Sequence, residues 1–495
     1  MEGLALSFGV ATAGALLYAL IKLLQIGRRP AGYPPGPPTV PILGNLHLMP
    51  AKYGHRQLRA WAQNYGPIYS LMLETKTYIV LSSGTAVRDL LDKRSNIYSS
   101  RPDMYMAHDV ASGGLRILTM KYGPLWRTIH KMIHNILNIR AAITYVPYQD
   151  LENKLLLLGF NSLTTQMVFG FRTPSFHDPK LQQLFEGFEK WGQIVGSASA
   201  QLLDLYPLLR YLPKFLARNY QYAENSTKRR KTLLSAKPCF CNDLLRAQAN
   251  EKFSDGQAGY VTGSLLEAGS DTTSSVLIGF VQAMVMFPDA QKKAQEEIDR
   301  VVGPDRLPTM DDEPRLQYVR GCVKESLRWM PTAILGAAHS VIKDDSYMGY
   351  KIPAEASIIL NVWAIHMDPD RYPNPRTEFE SATNPDVSKR GNFVFGAGRR
   401  ICQGMHIAER SLFLAISRML WAFNFSKPLD ANGQPIIPDI EDLVVIICRD
   451  ETKAEIIRRE WAECEESLLD RNTKQWKKVP EGMAFSTDVP EKIEV

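Results

Sequence analysis

The chain has 495 residues, 45% of them hydrophobic and 22% charged, with a net charge of +6. That balance excludes a disordered or collagen-like chain, and 58 basic against 52 acidic residues, spread along the chain, give no case for nucleic-acid binding. Six cysteines without a CxxC pair or regular spacing argue against a disulfide scaffold or zinc ribbon and suit a reducing compartment.

Leu4 to Ile21 carries no charge over 18 residues, about the minimum span of a bilayer. Glu2 precedes this run and Lys22, Arg28 and Arg29 follow it. It lacks the basic start and short apolar core of a cleaved signal, so the expectation is a single transmembrane anchor over 1–24 with the body on the cytosolic side. The "GYPPGPPTVP" segment cannot continue a helix and predicts a stiff, extended linker over 25–41. The body, 42–495, ends in a C-terminal helical extension.

Within the body, Ile68 to Ser83 alternates apolar and polar residues around a polar turn and predicts a β-hairpin. Helical periodicity recurs over 85–94, 122–137, 178–195, 289–302, 316–330 and 406–423. Tyr347 to Ile365 reads as a second patch of short strands, and 453–471 as a surface helix. The basic run within 223–240 reads as a solvated loop or helix end. The fold class is therefore mainly α with small β-sheets.

"FVFGAGRRICQGMHIAER" (Phe393 to Arg410) sets a lone cysteine among glycines and arginines just before a helical run. Ile401 stands where a dinucleotide loop needs its third glycine, and the Gly-Lys-Ser/Thr of a P-loop is absent. Cys402 and His406 could form half a zinc site, as could Cys239 and Cys241, but no second half lies at a fixed spacing. A thiolate ligand for heme iron is the third use. A helix starting just after Cys402 would favour the ionised sulfur. Gly396, Gly398 and Gly404 allow tight bends beside a flat ring, and Arg400 can reach a carboxylate at its edge.

These residues resemble a known family. Phe395, Gly398, Arg400, Cys402 and Gly404 match FxxGxRxCxG, the heme-binding signature of the cytochromes P-450. "AGSDTT" (Ala268 to Thr273) resembles the family's central-helix motif, Glu325 and Arg328 its ExxR, and "WRTIHK" (Trp126 to Lys131) the helix whose Trp and basic residue hold a heme propionate. Two further ExxR matches, Glu297/Arg300 and Glu455/Arg458, stand in the wrong order and read as i,i+3 surface pairs. The anchor and "PPGPP" resemble the microsomal, reductase-dependent branch, and the Cys402 segment resembles filamentous-fungal members devoted to secondary metabolism.

The resemblance implies a cytochrome P-450 fold behind a single N-terminal transmembrane helix, with Cys402 ligating heme b (iron protoporphyrin IX). It implies a monooxygenase of the endoplasmic reticulum membrane that uses O2 and a separate NADPH-cytochrome reductase on a lipophilic small molecule, and no nucleic acid. Lys131 is a candidate for reductase docking. Gly269 within a helix costs roughly 1 kcal/mol against alanine, so a close approach or a bend is expected there. Asp271 and Thr272 are expected to open the helix ladder, admit water and relay protons. Ser100 to Leu118, 185–225, Ala268 to Thr272 and Ala333 to Ala338 are expected to line an apolar pocket.

Four departures accompany the match. His130 replaces a usual arginine, so propionate binding depends on its protonation or passes to Arg127. His339, another expected propionate partner, follows Ala338 rather than proline. Thr383 stands where the family places the arginine that completes a triad with Glu325 and Arg328, with Arg376 or Arg390 as substitutes. The chain also reads short near 155–165, 226–234 and 444–453. A degenerate, non-catalytic heme-binding homologue is thus a second reading. A heme-thiolate isomerase or dehydratase is a third, disfavoured by the Asp271–Thr272 pair.

Overall fold

The computed structural model describes residues 2–50, 52–156, 163–173, 175, 178–211, 238–251, 253–372, 392–427, 434 and 445–486. The helices that matter here, in chain order, begin with α1 (Glu2–Gln25), α2 (Gly54–Tyr65), α3 (Pro124–Leu137), α4 (Val146–Leu156), α5 (Leu163–Phe169) and α6 (Pro179–Gly196). They continue with α7 (Phe240–Glu251), α8 (Asp255–Met286), α9 (Pro288–Val301), α10 (Gln317–Trp329), α11 (Val362–His366), α12 (Met405–Ala422) and α13 (Glu451–Leu468). Strands β1 (Ile68–Leu73), β2 (Lys76–Leu81), β3 (His339–Ser340) and β6 (Ser357–Leu360) form one sheet in the order β1-β2-β6-β3. Two two-stranded sheets pair β4 (Asp345–Tyr347) with β5 (Tyr350–Ile352) and β7 (Phe423–Ser426) with β8 (Val445–Cys448).

The predicted hairpin is β1–β2, antiparallel from Ile68↔Leu81 to Leu73↔Lys76, and β2 continues the sheet by parallel pairing with β6. The helical stretches expected from periodicity correspond to α3, α6, α9, α10 and α12, while 85–94 becomes one α-turn (Gly84–Val87) that widens into a π-helical stretch, Arg88–Lys93. Part of the second strand patch is helical, because Asn361 caps α11 by accepting from the Ala364 N–H. The basic run between 223 and 237 lies outside the described residues.

At the N-terminus the structure places a helix where one was expected, α1, over Glu2–Gln25. Side chains are described from residue 11 onward, and there the apolar helix is Ala11–Gln25. Among the described residues no single helix is long and apolar enough to cross a membrane. The proline segment, expected as a stiff extended linker, is also bound to the body. Arg29 donates to the carbonyls of Gly36 (3.0 Å) and Pro37 (2.8 Å) and to Ser70 Oγ (2.9 Å), while Ser70 Oγ donates to the Pro34 carbonyl (2.6 Å). Residues 34–38 are thereby fastened to β1.

Helix α8 runs through the middle of the body. Ser254 caps it by accepting from the Gln257 N–H at 3.1 Å, which satisfies one of the unpaired donors of its first turn. One apolar core joins α8, α9, α10 and α12 through Phe280, Ile298, Val319, Leu420 and Trp421, all at 0% exposure. A second joins α3, α4 and α7 through Ile129, Leu151 and Phe240. The C-terminal tail belongs to this second core: Trp476 and Phe485 pack within it, and Trp476 Nε1 donates to Gln166 Oε1 at 2.5 Å. Helix α13 is likewise only partly a surface helix, since Lys453, Ile456 and Ile457 are buried.

Trp476→Ala removes that ring and leaves Gln166 Oε1 without its donor. The expected loss is about 3–5 kcal/mol, read as a lower thermal midpoint; a loss under ~1 kcal/mol would place the tail outside the cooperative core.

Candidate functional site

The site is built around a loop with little regular structure of its own, Phe393 to Gly404. Gly396 and Gly398 both lie in the left-handed region, at φ 77° and 64°. At 398 a side chain is excluded twice over, because a Cβ there would stand 1.9 Å from the Leu91 carbonyl oxygen of the π-helical stretch. The Gly398 N–H instead donates to Asp92 Oδ1 at 2.6 Å. One 3-10 turn, Gly398–Arg400, then brings the Cys402 N–H to the Phe395 carbonyl at 2.8 Å, and α12 starts at Met405.

Cys402 is accessible although protein surrounds it on most sides, the condition of a group on the floor of a recess. Burial raises its thiol above the ordinary range; the N–H groups of Gly404 and Met405 pull it down, and the Glu409 carboxylate raises it again. The helix start favours the ionised sulfur, as expected from the sequence, while burial opposes it. A metal cation would ionise it, since a coordinating thiol gives up its proton.

Beside the recess lies a cluster of cations. Arg400 donates to the carbonyls of Ser99 (2.8 Å) and Met120 (2.7 Å), and its guanidinium lies 4.1 Å from the Trp126 ring centre. Arg101 donates to the carbonyls of Leu118 (2.9 Å), Ala337 (2.7 Å) and Ala338 (2.8 Å). Among the described residues neither forms an ion pair with a carboxylate. Burial, then mutual repulsion, lowers Arg400 to about 9, and burial lowers Arg101 to about 10.

His339 Nδ1 donates to the Tyr98 carbonyl at 2.7 Å, and burial, with Arg101 and Arg400 nearby, lowers it to about 3. His130 stacks on Trp126, centroids 4.4 Å apart, and its buried Nε2 has no hydrogen-bond partner. Burial, then His134 and Arg400, lower it to about 4. A buried and a half-buried guanidinium, neither with a counter-charge among the described residues, and an orphaned imidazole nitrogen make a site for carboxylates, so the residues fit a heme with its propionates.

Trp126, His130, His339 and Arg400 are thus gathered on one side of Cys402. Arg127, the alternative to His130, is exposed on α3. Arg101 was missed: "SSRPD" carries no spacing signal, and its partners Ala337 and Ala338 are 236 and 237 residues away. Gln403 was missed too; its Nε2 donates to the His130 carbonyl at 2.9 Å and ties the cysteine loop to α3.

On α8, Ala268, Gly269, Asp271 and Thr272 are exposed between the buried Leu266 and Val276. Gly269 answers to a close approach, since a Cβ there would lie 2.7 Å from Thr164 Oγ1 and 2.9 Å from its methyl. The expected opening of the ladder is not seen: α8 is continuous, and the Thr272 hydroxyl donates to the Ala268 carbonyl at 2.7 Å. This back-bonding is the local alternative to an inserted water.

Glu325 and Arg328 form a two-point ion pair on α10, Nε to Oε2 at 2.7 Å and Nη2 to Oε1 shorter still. Burial raises Glu325 to about 7 against the pull of Arg328. Arg328 Nη1 also donates to the His366 carbonyl at 2.6 Å, and the guanidinium lies 5.0 Å from the Tyr372 ring centre. Thr383, Arg376 and Arg390 lie outside the described residues. The other ExxR matches are not i,i+3 pairs: Glu297 accepts from the N–H groups of Tyr318 (3.1 Å) and Val319 (3.0 Å), capping α10, and Arg458 pairs with Glu451 at 2.9 Å.

The family model described as cytochrome P450 matches residues 34–157 and 150–447 of the chain. The cytochrome P450 monooxygenase virE of Hypocrea virens is 49% identical over 531 residues, covering 96% of each chain. Similar proteins include the cytochrome P450 monooxygenases fogE of Aspergillus ruber, 48% identical over 95% of this chain and 97% of its own, and fsoB of Humicola fuscoatra, 44% identical over the same shares. An alignment of 531 positions against 495 residues means that virE carries segments this chain lacks. The family match breaks in two at 150–157, beside one of the places that read short.

Arg101→Gln removes one of the two cations while keeping a donor for the carbonyls. About a tenfold weaker hold on heme is expected, ~1.4 kcal/mol, read as a lower Soret-to-protein absorbance ratio at unchanged far-ultraviolet dichroism.

Proposed function

The chain belongs to the cytochrome P450 family and is a monooxygenase of that family, and from that premise we propose that it hydroxylates or epoxidises a lipophilic small molecule in fungal secondary metabolism. The observation that carries the reading is the accessible Cys402 beside the buried Arg101 and the half-buried Arg400, neither of which has a carboxylate partner among the described residues. Cys402 would hold the iron of heme b, with Arg101, Arg400, Trp126, His130 and His339 at its propionates. When bound, heme b supplies the activation of O2 with electrons delivered from outside the chain.

The residues of the chain do the rest. Buried Ile129, Ile133 and Ile407 exclude water around α3 and the start of α12. The Thr272 hydroxyl holds its proton toward the Ala268 carbonyl, and the exposed Asp271 stands next to it as the group able to replace a proton once it is given up. Ala268 is exposed beside them and carries little bulk, whereas Gly269 gives its space to Thr164.

Electron delivery is proposed to come from a membrane-bound NADPH-cytochrome reductase of the endoplasmic reticulum. The exposed Arg127 and Lys131 on α3 suit an acidic partner. The exposed apolar residues Leu16, Leu17, Tyr18, Leu20 and Ile21, followed by Lys22, Arg28 and Arg29, support attachment to the cytosolic face of that membrane.

The test is the carbon monoxide difference spectrum of the reduced protein, followed by turnover with a reductase. A thiolate-type Soret band with NADPH- and O2-dependent product is expected; the band without any turnover would favour the non-catalytic homologue. Cys402→Ser should abolish the band. Thr272→Ala should keep it and raise peroxide released per NADPH several-fold, whereas full coupling in that variant would remove Thr272 from the proton path.

A further inference from the structure

His366, the last residue of α11, belongs to no motif singled out in the sequence. It is fully buried, and all of its polar atoms that the structure pairs point to two places. Its carbonyl accepts from Arg328 Nη1 at 2.6 Å, and its Nδ1 meets the Arg328 carbonyl at 3.2 Å, so side chain and backbone of the two residues are cross-linked. Its Nε2 meets the Phe393 backbone nitrogen at 2.8 Å. A backbone N–H can only donate, so Nε2 is the acceptor and Nδ1 carries the ring proton toward Arg328.

Phe393 is where the cysteine loop begins. Its own carbonyl accepts from the Gly396 N–H at 2.9 Å, and two residues later the Phe395 carbonyl accepts from Cys402 at 2.8 Å. The ring of Phe393 is fixed as well: it packs against Gly84, where a Cβ would meet it at 3.0 Å, and Arg371 stands 5.1 Å over its face. Side-chain packing therefore sets where Phe393 sits, but among the described residues only His366 Nε2 receives its N–H, and that bond sets the direction in which the chain leaves toward Cys402.

We propose that His366 is a positioning residue for the thiolate: it transmits the place of the Glu325–Arg328 pair to the cysteine loop through a single acceptor atom, and without that acceptor the sulfur loses its ligating position before the fold is lost. The inference rests on the heme-thiolate reading and adds to it a residue and an atom. Glutamine can place an amide oxygen near the position of Nε2 while lacking the Nδ1 proton. Phenylalanine keeps the ring and the packing and removes both nitrogens.

The experiment compares the full chain, His366→Gln and His366→Phe, each with heme content, the ratio of thiolate-type to imidazole-type or neutral-thiol carbon monoxide bands over time, and amide exchange of the 393–402 segment. A buried N–H without an acceptor is expected to shift the band ratio about tenfold in His366→Phe, ~1.4 kcal/mol, with faster exchange over 393–402 and unchanged exchange in α12. His366→Gln is expected to stay within about twofold of the parent. His366→Phe failing to fold while His366→Gln keeps the parental band overturns the inference, since the acceptor would then hold the fold rather than the sulfur alone. A parental band ratio in His366→Phe overturns the inference alone, as does equal damage in both variants, which would assign His366 to packing. No thiolate band in the parent chain would overturn the ligation itself, and this inference with it.

Discussion

The Leu91 carbonyl oxygen leaves no room for a side chain at residue 398, and that exclusion directs the loop that carries Cys402. The loop has too few internal hydrogen bonds to hold its own shape, so its course is imposed from outside. Leu91 and Asp92 press on one bend and His366 receives the chain at its start. Gln403 fastens it to α3 just past the sulfur. The π-helical stretch Arg88–Lys93 takes its meaning from this: a wider turn than an α-helix puts the residues that meet Gly398 at the right place.

The cations beside the loop obey a different logic. Arg101 and Arg400 are each satisfied in hydrogen bonding by backbone carbonyls, which fixes their geometry without neutralising their charge. A carboxylate from the protein would have removed that charge and with it the affinity for an anion. The arrangement separates orientation, supplied by the backbone, from charge, which stays available.

Much of this was legible in the sequence where neighbours in the chain act together. Gly398, Arg400, Cys402 and Gly404 lie within one turn and a half of structure, so their spacing carries their geometry. The amphipathic helices and the β1–β2 hairpin were legible for the same reason. Arg101, His366 and Gln403 were not, because each acts on a backbone atom of a distant segment, 236, 27 and 273 residues away for Ala337, Phe393 and His130. Backbone partners leave no trace in residue identity. The ExxR pattern shows the reverse: three matches look alike in sequence, and only Glu325–Arg328 is a pair, because Glu297 is drawn to the open N-terminus of α10 and Arg458 to Glu451. The tertiary bonds from Arg29 and Ser70 that hold the proline segment likewise left no trace in the sequence pattern.

The fastening of residues 34–38 to β1 has a mechanical consequence. A tether of mobile residues lets a globular body tumble beneath whatever holds its end, whereas here the last free joint before the body lies ahead of Arg29. Any force or attachment acting on α1 is therefore transmitted to the β1–β2 edge as a torque rather than absorbed as slack. Wherever α1 is held, the edge that carries β1 is then held with it, without a slack segment between the two.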